Sequence, residues 1–458
     1  MSTASPVTLQ INDIQGLVLS GYGHLDEAAY LFLQVTDPAA ARQWLTQMTP
    51  EIATAANWPQ DDAGKAIKPD TRINIAFTHP GLTALGLSAA TLASFSSEFK
   101  EGVTGVERSF ILGDTEESAP EAWEMGGPNN PPVHILLILF ATAPDALISL
   151  RERFRATFTA GGLTEIYNQN SSRLPENREH FGFRDSISQP AIEGSPQTVA
   201  AGQEVIRAGE FILGYQNEYA LVPPMPDPPK LGINGTYLVY RKLAQNVAVF
   251  QDYLKQAAKG DPIQMTYLSA KIVGRWPSGA PLALTPEYDD PALGDDTTRN
   301  NNFKYAAADP YGYATPIGSH IRRTNPRDAV EGSATDSLTT SKRHRILRRG
   351  RAFGPAFTDS ADPNADQPRG TLFIALNADI QRQFEFIQQT WVGDPKFSGL
   401  YNDKDPLIGN SKGDNQLTIQ REPVRKALLN IPRFVVVRAA GYFFMPSITA
   451  LGIIASGC

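Results

Sequence analysis

Short apolar runs followed by amphipathic segments recur along the first half of the chain. The run "AAYLFLQV" at residues 28–35 predicts a strand, and "DPAAARQWLTQM" at residues 37–48 predicts a helix that begins after the Asp-Pro pair. The same order recurs in "TRINIAFTHPGLTALG" at residues 71–86 and in "VHILLILFATAPDALISLRERFRATF" at residues 133–158. Apolar residues of the last helix recur at helical spacing, at Leu147, Leu150, Phe154 and Phe158.

The second half repeats this alternation. "GTYLVYRKLAQNVAVFQDYLKQA" at residues 235–257 and "RGTLFIALNADIQRQFEFIQQTW" at residues 369–391 each predict a strand followed by a helix. "FVVVRAAGYFFMPS" at residues 434–447 predicts a closing pair of strands. Both halves are therefore expected to be α+β, with antiparallel sheets backed by helices. Residues 195–230 and 277–345 are rich in Pro, Gly, Asp and Asn, which predicts long loops of the kind that carry function or are disordered.

Composition narrows the class of protein. The chain has 458 residues, of which 41% are hydrophobic and 19% charged, an ordinary globular balance. Its net charge of -7 argues against nucleic acid as a partner. The longest apolar runs are too short to span a bilayer, and the N-terminal residues lack the basic and apolar regions of a secretory signal, so we expect a cytoplasmic protein without a membrane partner. The only cysteine, Cys458, excludes an intrachain disulfide and a C-x-x-C-H haem attachment.

Several catalytic motifs are absent from the sequence. The six histidines include no H-x-x-x-H or H-E-x-x-H pair, and there is no G-x-S-x-G elbow, phosphate-binding loop or dinucleotide-binding fingerprint. Three other segments combine turn residues with His, Arg or Asp: "FGFRDSISQP" (181–190), "PIGSHIRRTNPRD" (316–328) and "SKRHRILRRGRAFGP" (341–355). In the first of them Asp185 stands between apolar neighbours, which indicates a pocket. A single His or Arg in such a loop is more often structural or solvated.

Together these segments resemble the haem-pocket segments of dye-decolorizing peroxidases. The stretches "GEFILGYQNEY", "NGTYLVYRKLAQNVAVFQDYL", "RQFEFIQQTW", "DPLIG" and "YFFMPSI" agree with the same family, in the family's order. The resemblance runs from about Asn12 to the C-terminus and is closest to the longer members. It implies two ferredoxin-like domains, an N-terminal one over 1–195 that ends in the Asp185 segment and a C-terminal one over 196–458 that holds most of the haem.

The resemblance also implies roles on the two sides of a haem. His320 matches the ligand of the haem iron, the metal of the site, and Asp405 in "DPLIG" matches the acid that accepts a hydrogen bond from that histidine. Asp185 matches the acid that moves the proton of the peroxide, and Arg348 matches the arginine that stabilises the charge on the leaving oxygen. From the residues alone, both acids also read as turn formers and His320 as a surface-loop residue. Arg349, the next residue, is the alternative to Arg348 for the charge-stabilising arginine.

Further residues are matched to cofactor contacts. Arg327 matches an arginine that pairs with a haem propionate, with a plain surface charge as the alternative. Ile187 is expected to contact the haem. Leu372 and Ile374 are two residues apart on a predicted strand, so their side chains point to the same face. They are expected to line the distal pocket, and packing in the core is an equally good interpretation. Trp391 matches a surface electron relay of some relatives, with simple packing as the alternative.

One position departs from the family pattern. The family's G-x-x-D-G motif reads Gly182-Phe183-Arg184-Asp185-Ser186 here, with Ser186 in place of the second glycine. A serine at this position stiffens the turn or adds a hydroxyl group near the distal pocket. We do not expect this change to abolish haem binding.

The activity implied is that of a haem b peroxidase. Hydrogen peroxide would oxidise the haem to a ferryl-radical intermediate, which aromatic reducing substrates such as dyes and phenolics, or Mn(II), would then reduce. The ordinary pKa of an aspartate side chain, about 3.9, implies activity at acidic pH. The alternative is a haem-handling or iron-releasing protein with weak peroxidase activity. The sequence leaves open whether the chain forms a homo-oligomer.

Overall fold

The strands form two sets that follow the same order along the chain. The computed structural model of the protein describes residues 7–199, 203–330, 332–358, 364 and 366–457. In these ranges the strands are β1 (Glu27–Val35), β2 (Thr71–Phe77), β3 (Ile135–Ala141), β4 (Leu163–Ser172), β5 (Ala191–Ile192), β6 (Val205–Ile206), β7 (Thr236–Gln245), β8 (Leu347–Arg348), β9 (Arg351–Phe353), β10 (Gly370–Asn377), β11 (Asn415–Ile419), β12 (Lys426–Ile431) and β13 (Val435–Met445).

Helices connect these strands and cover their outer faces. The α-helices are α1 (Gly16–Leu19), α2 (Pro38–Met48), α3 (His79–Ala84), α4 (Ala89–Ala93), α5 (Ser97–Glu101), α6 (Val106–Leu112), α7 (Pro144–Phe158), α8 (Pro229–Gly232), α9 (Val247–Ala257), α10 (Pro262–Val273), α11 (Pro291–Asp295), α12 (Tyr305–Ala308), α13 (His320–Thr324), α14 (Ala334–Arg343) and α15 (Ile448–Ser456). Short 3₁₀ turns lie at Thr49–Glu51, Glu116–Ser118, Pro120–Ala122, Pro175–Asn177, Ala208–Glu210 and Phe397–Gly399. No helix in the described ranges is long and apolar enough to cross a membrane.

Each set of strands has the ferredoxin-like order. In the first half the order across the sheet is β4-β1-β3-β2, and in the second half it is β13-β7-β10-β8, so both place the fourth strand beside the first and the third beside the second. The two halves meet where β2 pairs with β13 through Phe77 and Phe444. The α+β fold of two ferredoxin-like units is confirmed. The boundary at residue 195 stays a prediction, and it falls between the paired strands β5 and β6.

Two local predictions need correction. The closing segment forms one strand, β13, which pairs with β7 along its length and has a bulge between Val437 and Ala439. The predicted pair of strands is wrong because Gly441 stays paired with Tyr240 within the strand and forms no turn, and a bulge bends a strand without ending it. The helix after β10 lies where the sequence predicts it, but it is π-helical over Gln381–Glu385 and Ile387–Val392. Such segments often occur at functional sites.

The core follows the alternation of side chains along the strands. One face of the first half packs against α7, whose Leu147, Leu150, Phe154 and Phe158 are buried as the helical spacing predicts. The opposite face shares a second core with the other half of the molecule. Because successive side chains of a strand point to opposite faces, β7 and β10 bury every second residue in this shared core. Of the remaining residues of these two strands, Tyr237, Val239 and Ala375 lie in the first core, and the others are left for another surface.

Phe154 tests how much α7 contributes to stability. The side chain is 1% exposed, so we expect Phe154→Ala to lower the free energy of unfolding by about 3–5 kcal/mol because it leaves a cavity. Ile148 on the same helix is 48% exposed, and Ile148→Ala is the matched control, with an expected change within about 0.5 kcal/mol. Chemical denaturation of both variants measures the difference. Equal losses would contradict the packing described for this helix.

Candidate active site

A cavity of about 300 Å³ lies against the face of β7 and β10 that is turned away from the shared core. Its walls come from β7, β10 and β13, from the loop 181–188, and from α13 with the segments that follow it. The volume is in the range of small-molecule and cofactor sites. Apolar side chains from several of these elements line it, at Val273, Ile346, Phe373, Phe384, Ile387, Val392 and Leu407.

His320 begins α13 and lines the cavity. Its Nδ1 lies 2.9 Å from Oδ2 of Asp405. The residue before it, Ser319, is buried and donates from its hydroxyl group to the carbonyl oxygen of Lys271, which fixes the start of the helix against α10. When Nδ1 donates its proton to a carboxylate, the lone pair of the ring is on Nε2, and that nitrogen is then able to bind a metal ion.

Asp405 is fully buried and held from several sides. Its Oδ1 accepts hydrogen bonds from the backbone N–H groups of Leu407 and Ile408, each at 2.9 Å. Burial by itself raises the pKa of this carboxyl group. The charge and hydrogen bond of His320, the N–H of Ile408 and the charge of Arg323 outweigh burial, so that the pKa is lowered overall. The acid predicted to contact His320 is therefore in contact with it and is ionised.

Asp185 and Arg348 meet on the wall of the same cavity. Nη1 of Arg348 lies 3.3 Å from Oδ1 of Asp185, and both side chains are about one-third exposed. The backbone N–H of Arg348 donates to Oε1 of Gln189, which ties β8 to the loop. Arg349 turns the other way and donates to the carbonyl oxygens of Leu17 and Val18 at 2.8 Å. Of the two arginines, Arg348 is thus the one that lines this cavity.

The serine that departs from the family pattern lies in a strained turn. Ser186 has a φ of 65°, in the left-handed region that glycine adopts without cost. Its N–H donates to Oδ1 of Asp185 at 2.5 Å. The turn thus keeps a glycine-like backbone with a serine side chain, and it orients the carboxyl group of Asp185.

Arg327 and Arg275 bring buried positive charge to one side of the cavity. The guanidinium group of Arg327 lies 3.9 Å from the centre of the Phe303 ring and donates to the carbonyl oxygens of Asn301 and Phe303. Arg275 donates to the carbonyl oxygens of Gly279 and Asn300. Burial lowers the pKa of Arg327, and burial together with the charge of Arg327 lowers the pKa of Arg275 to about 9.

Arg345 adds a third buried guanidinium group to this side. Its pKa is lowered to about 10 by burial, although the charge of Glu204, 3.5 Å away, acts in the opposite direction. Ionised groups in a low-dielectric setting favour an anionic partner. An imidazole, apolar walls and buried guanidinium groups together fit an iron porphyrin that carries carboxylates. The residues present therefore fit a haem.

Three predicted positions need correction. Leu372 and Ile374 are completely buried in the shared core, while their neighbours Thr371 and Phe373 line the cavity. The prediction chose the wrong face of β10, because alternation alone does not say which face meets the ligand. Trp391 is 3% exposed, so its expected surface position is wrong. Ile187 does line the cavity.

Sequence reasoning missed several residues of the site. Arg275, Arg345, Thr371 and Phe373 line the cavity, and so does Glu179. Thr371 and Phe373 alternate with Leu372 and Ile374 along β10. Assigning the opposite face of this strand to the cavity would have found them. The arginines carry no local pattern that separates them from the other arginines of the chain.

Comparisons with known proteins agree with this geometry. Residues 13–172 match the family described as "DyP dimeric alpha+beta barrel domain". The chain is 33% identical to the dye-decolorizing peroxidase AauDyP1 of Auricularia auricula-judae, with 97% of this chain and 87% of the relative covered. It is 31% identical to a dye-decolorizing peroxidase of Mycena epipterygia, over 98% of this chain and 87% of the relative.

A solved structure has the same architecture. The crystal structure of a decolorizing peroxidase from Auricularia auricula-judae superposes with a TM-score of 0.82 and 31% identity, and the match covers 98% of this chain and 100% of that one. Similarity at this level over the whole of a chain reflects a common family and not only a common fold. The protein therefore belongs to the dye-decolorizing peroxidase family, whose members are haem peroxidases.

Proposed function

We propose that this peroxidase binds haem b and uses hydrogen peroxide to oxidise dyes and phenolic compounds. The observation that carries the proposal is that His320, backed by the buried Asp405, and the pair of Arg348 with Asp185 line one cavity. The only cysteine of the chain is Cys458, outside the described residues, and no C-x-x-C-H motif is present, which favours a haem held without thioether bonds. Once bound, haem supplies the iron that accepts electrons from the donor and passes them to peroxide.

His320 would hold the haem iron through Nε2. Asp405 keeps the proton on Nδ1 and orients the ring, because its ionised carboxyl group accepts that hydrogen bond. A carboxylate partner makes the imidazole a stronger donor, which favours the oxidised states of a peroxidase. The backbone N–H groups on Asp405 keep this partner fixed during turnover.

Asp185 and Arg348 would act on the peroxide. Cleaving the O–O bond requires a group that takes a proton from one oxygen and returns it to the other, and a carboxylate serves as this general base and acid. As the bond breaks, negative charge grows on the departing oxygen, and the guanidinium group of Arg348 is placed beside Asp185 to stabilise that charge. Ser186 restrains the carboxylate through its backbone N–H.

Arg327 would hold a propionate of the haem, with Arg275 and Arg345 adding positive charge nearby. Hydrogen bonds to backbone oxygens already hold the guanidinium groups of Arg327 and Arg275 in place. An ion pair with Glu204 holds that of Arg345. A guanidinium group that is held in place loses little entropy when it binds a carboxylate. Ile187 would contact the macrocycle from the side of Asp185.

The reducing substrates are proposed from the relatives. The matched proteins are named for the decolorizing of dyes, and one solved relative, 28% identical over 98% of this chain, is described in complex with 2,6-dimethoxyphenol. An aromatic donor of this type would deliver single electrons to the oxidised enzyme. The cytoplasmic location and the homo-oligomer stay predictions.

Replacing His320 tests the haem ligand. His320→Ala removes the imidazole, and we expect haem to bind at least ~10-fold more weakly, with an altered Soret band. The measurement is a titration of the apoprotein with haem, followed by absorption. His24→Ala is the control, because His24 lies outside the cavity and contacts the carbonyl oxygen of Pro69. Unchanged affinity and an unchanged spectrum in His320→Ala would mean that another residue binds the iron.

Replacing Arg348 tests the stabilisation of charge. Arg348→Leu should lower the second-order rate constant for hydrogen peroxide by ~10²- to 10³-fold, the usual loss when a charge-stabilising donor is removed. Stopped-flow absorption of the haem-loaded protein measures this constant. Arg299→Leu is the charge-matched control on an exposed segment. A rate equal to that of the unmodified protein would remove Arg348 from the mechanism, and a slow reaction of the unmodified protein itself would favour the haem-handling alternative.

A further inference from the structure

Glu179 carries a carboxyl group that has no role in the function proposed above. It lines the inner cavity and also an outer cavity of about 520 Å³. The wall between the two cavities includes Asp185, Arg348 and Thr371, which line both. Glu179 thus stands beside the groups that would handle peroxide, at the point where the inner cavity meets a space that extends from the β8–β9 turn to the N-terminal segment.

Hydrogen bonds from Glu179 close the loop that leads to Asp185. Its Oε1 accepts from the N–H of Phe183 at 2.9 Å, and its Oε2 accepts from the N–H of Phe181 at 2.9 Å. Its own N–H donates to the carbonyl oxygen of Phe183. Oε2 also accepts from Nε2 of Gln245 on β7 at 2.6 Å, which fastens the closed loop to the sheet. Asp185 lies two residues after Phe183, the last loop residue that Glu179 contacts.

Burial favours the neutral form of Glu179, whereas the hydrogen bonds that its carboxyl group accepts favour the ionised form. Burial raises the pKa of its carboxyl group from 4.5 to about 7, against the hydrogen bonds of Phe181, Phe183 and Gln245, and the charge of Asp185 adds to the rise. Besides Asp185 and His320, the charged side chains that line the two cavities are Asp114, Arg173, Arg178, Arg184, Arg241, Arg275, Arg327, Arg345, Arg348, Arg349, Arg351 and Arg433. The ring of His180 points away, to the carbonyl oxygen of Phe353.

Gln245 is suited to hold the neutral carboxyl group as well as the ionised one. Its amide has a donor end and an acceptor end, and Oε1 now accepts from the hydroxyl group of Thr371 at 3.0 Å. If the amide turns over, its oxygen accepts the proton of a neutral Glu179 and its NH₂ group donates to Thr371. The contact between the loop and β7 therefore survives protonation.

We propose that Glu179 is a positioning residue for Asp185, which holds the loop 181–185 closed while it is neutral and loosens it on ionisation. The inference rests on the role proposed above for Asp185. The loop that carries Asp185 would then be ordered only in acidic solution. The group that sets this limit would be Glu179, and not Asp185, which moves the proton.

The sign of the pH dependence follows from linkage. In the open loop the carboxyl group meets water and titrates near its ordinary value of 4.5, whereas in the closed loop it titrates near 7. Between these values the closed form binds one proton more than the open form. The stability of the closed loop is therefore full below the lower value and declines as the pH rises towards the higher one, by up to ~10-fold in the opening constant per pH unit.

Hydrogen–deuterium exchange of the haem-loaded protein tests the proposal. Peptides within residues 178–187 are followed between about pH 5 and 8, with rates corrected for intrinsic exchange. We expect the opening constant to rise by between about 10- and 100-fold from pH 5 to 7 in the unmodified protein, and to be nearly flat in Glu179→Gln, which cannot ionise. Glu176→Gln is the matched control, since Glu176 is 70% exposed and lines neither cavity, although its partner Arg178 lines the outer one. It should behave like the unmodified protein.

A second variant covers the case in which Glu179→Gln does not fold. Gln245→Leu keeps the carboxyl group and removes a hydrogen bond that lowers its pKa, so the rise in opening should extend to higher pH. A flat profile in the unmodified protein, or the same rise in Glu179→Gln, would overturn the proposal.

Stopped-flow rates with peroxide connect the loop to Asp185. The rate constant should fall less steeply between about pH 5 and 7 in Glu179→Gln than in the unmodified protein. Identical pH profiles would overturn the positioning role even if the exchange data show a loosened loop. Asp185→Asn separates this failure from a failure of the proposed function, because full activity in that variant would remove Asp185 itself and leave the behaviour of the loop untouched.

Discussion

Buried positive charge is the constraint on which the cavity depends. Arg275 and Arg345 are buried and Arg327 is partly buried at the cavity wall, and burial lowers the pKa of each of them. Taking an ionised group out of water is unfavourable unless an opposite charge or a full set of hydrogen bonds compensates for it. Backbone oxygens supply part of this compensation for Arg275 and Arg327, and a carboxylate-bearing cofactor would supply the rest.

The fold leaves room for this charge because the two faces of β7 and β10 have different surroundings. One face of β7 and β10 packs into the core shared with the first half, which gives the sheet a rigid support. The other face presents Arg241, Gln245, Thr371 and Phe373 to the cavity. The first half contributes the stable platform, with α2 and α7 on its outer side, and the loops of the second half carry most of the chemistry.

The two acids of the site are held in different ways, which suits different tasks. Asp405 is fully buried and fixed by two backbone N–H groups as well as by His320, so it stays ionised and still. Asp185 is about one-third exposed and sits in a turn between two cavities, beside Arg348. A fixed acid suits the orienting role proposed for Asp405, whereas an acid open to solvent is able to exchange protons, as the role proposed for Asp185 requires.

Strands β1, β2, β3, β7 and β10 and helices α2, α7 and α9 could be predicted from the sequence, as could the resemblance that singled out His320, Asp405, Asp185 and Arg348, whereas β4 and β8 were not predicted. Apolar periodicity is a local property, and motifs survive in order along a chain, so both can be read without the fold. The face of β10 that meets the cavity could not be read from the sequence, because a shift of one residue reverses the whole strand. Leu372 and Ile374 went to the core for that reason, and Trp391 was buried by packing of the π-helical segment. The pairings of His320 with Asp405 and of Glu179 with Gln245 join distant parts of the chain, and such contacts exist only once the sheet has brought them together.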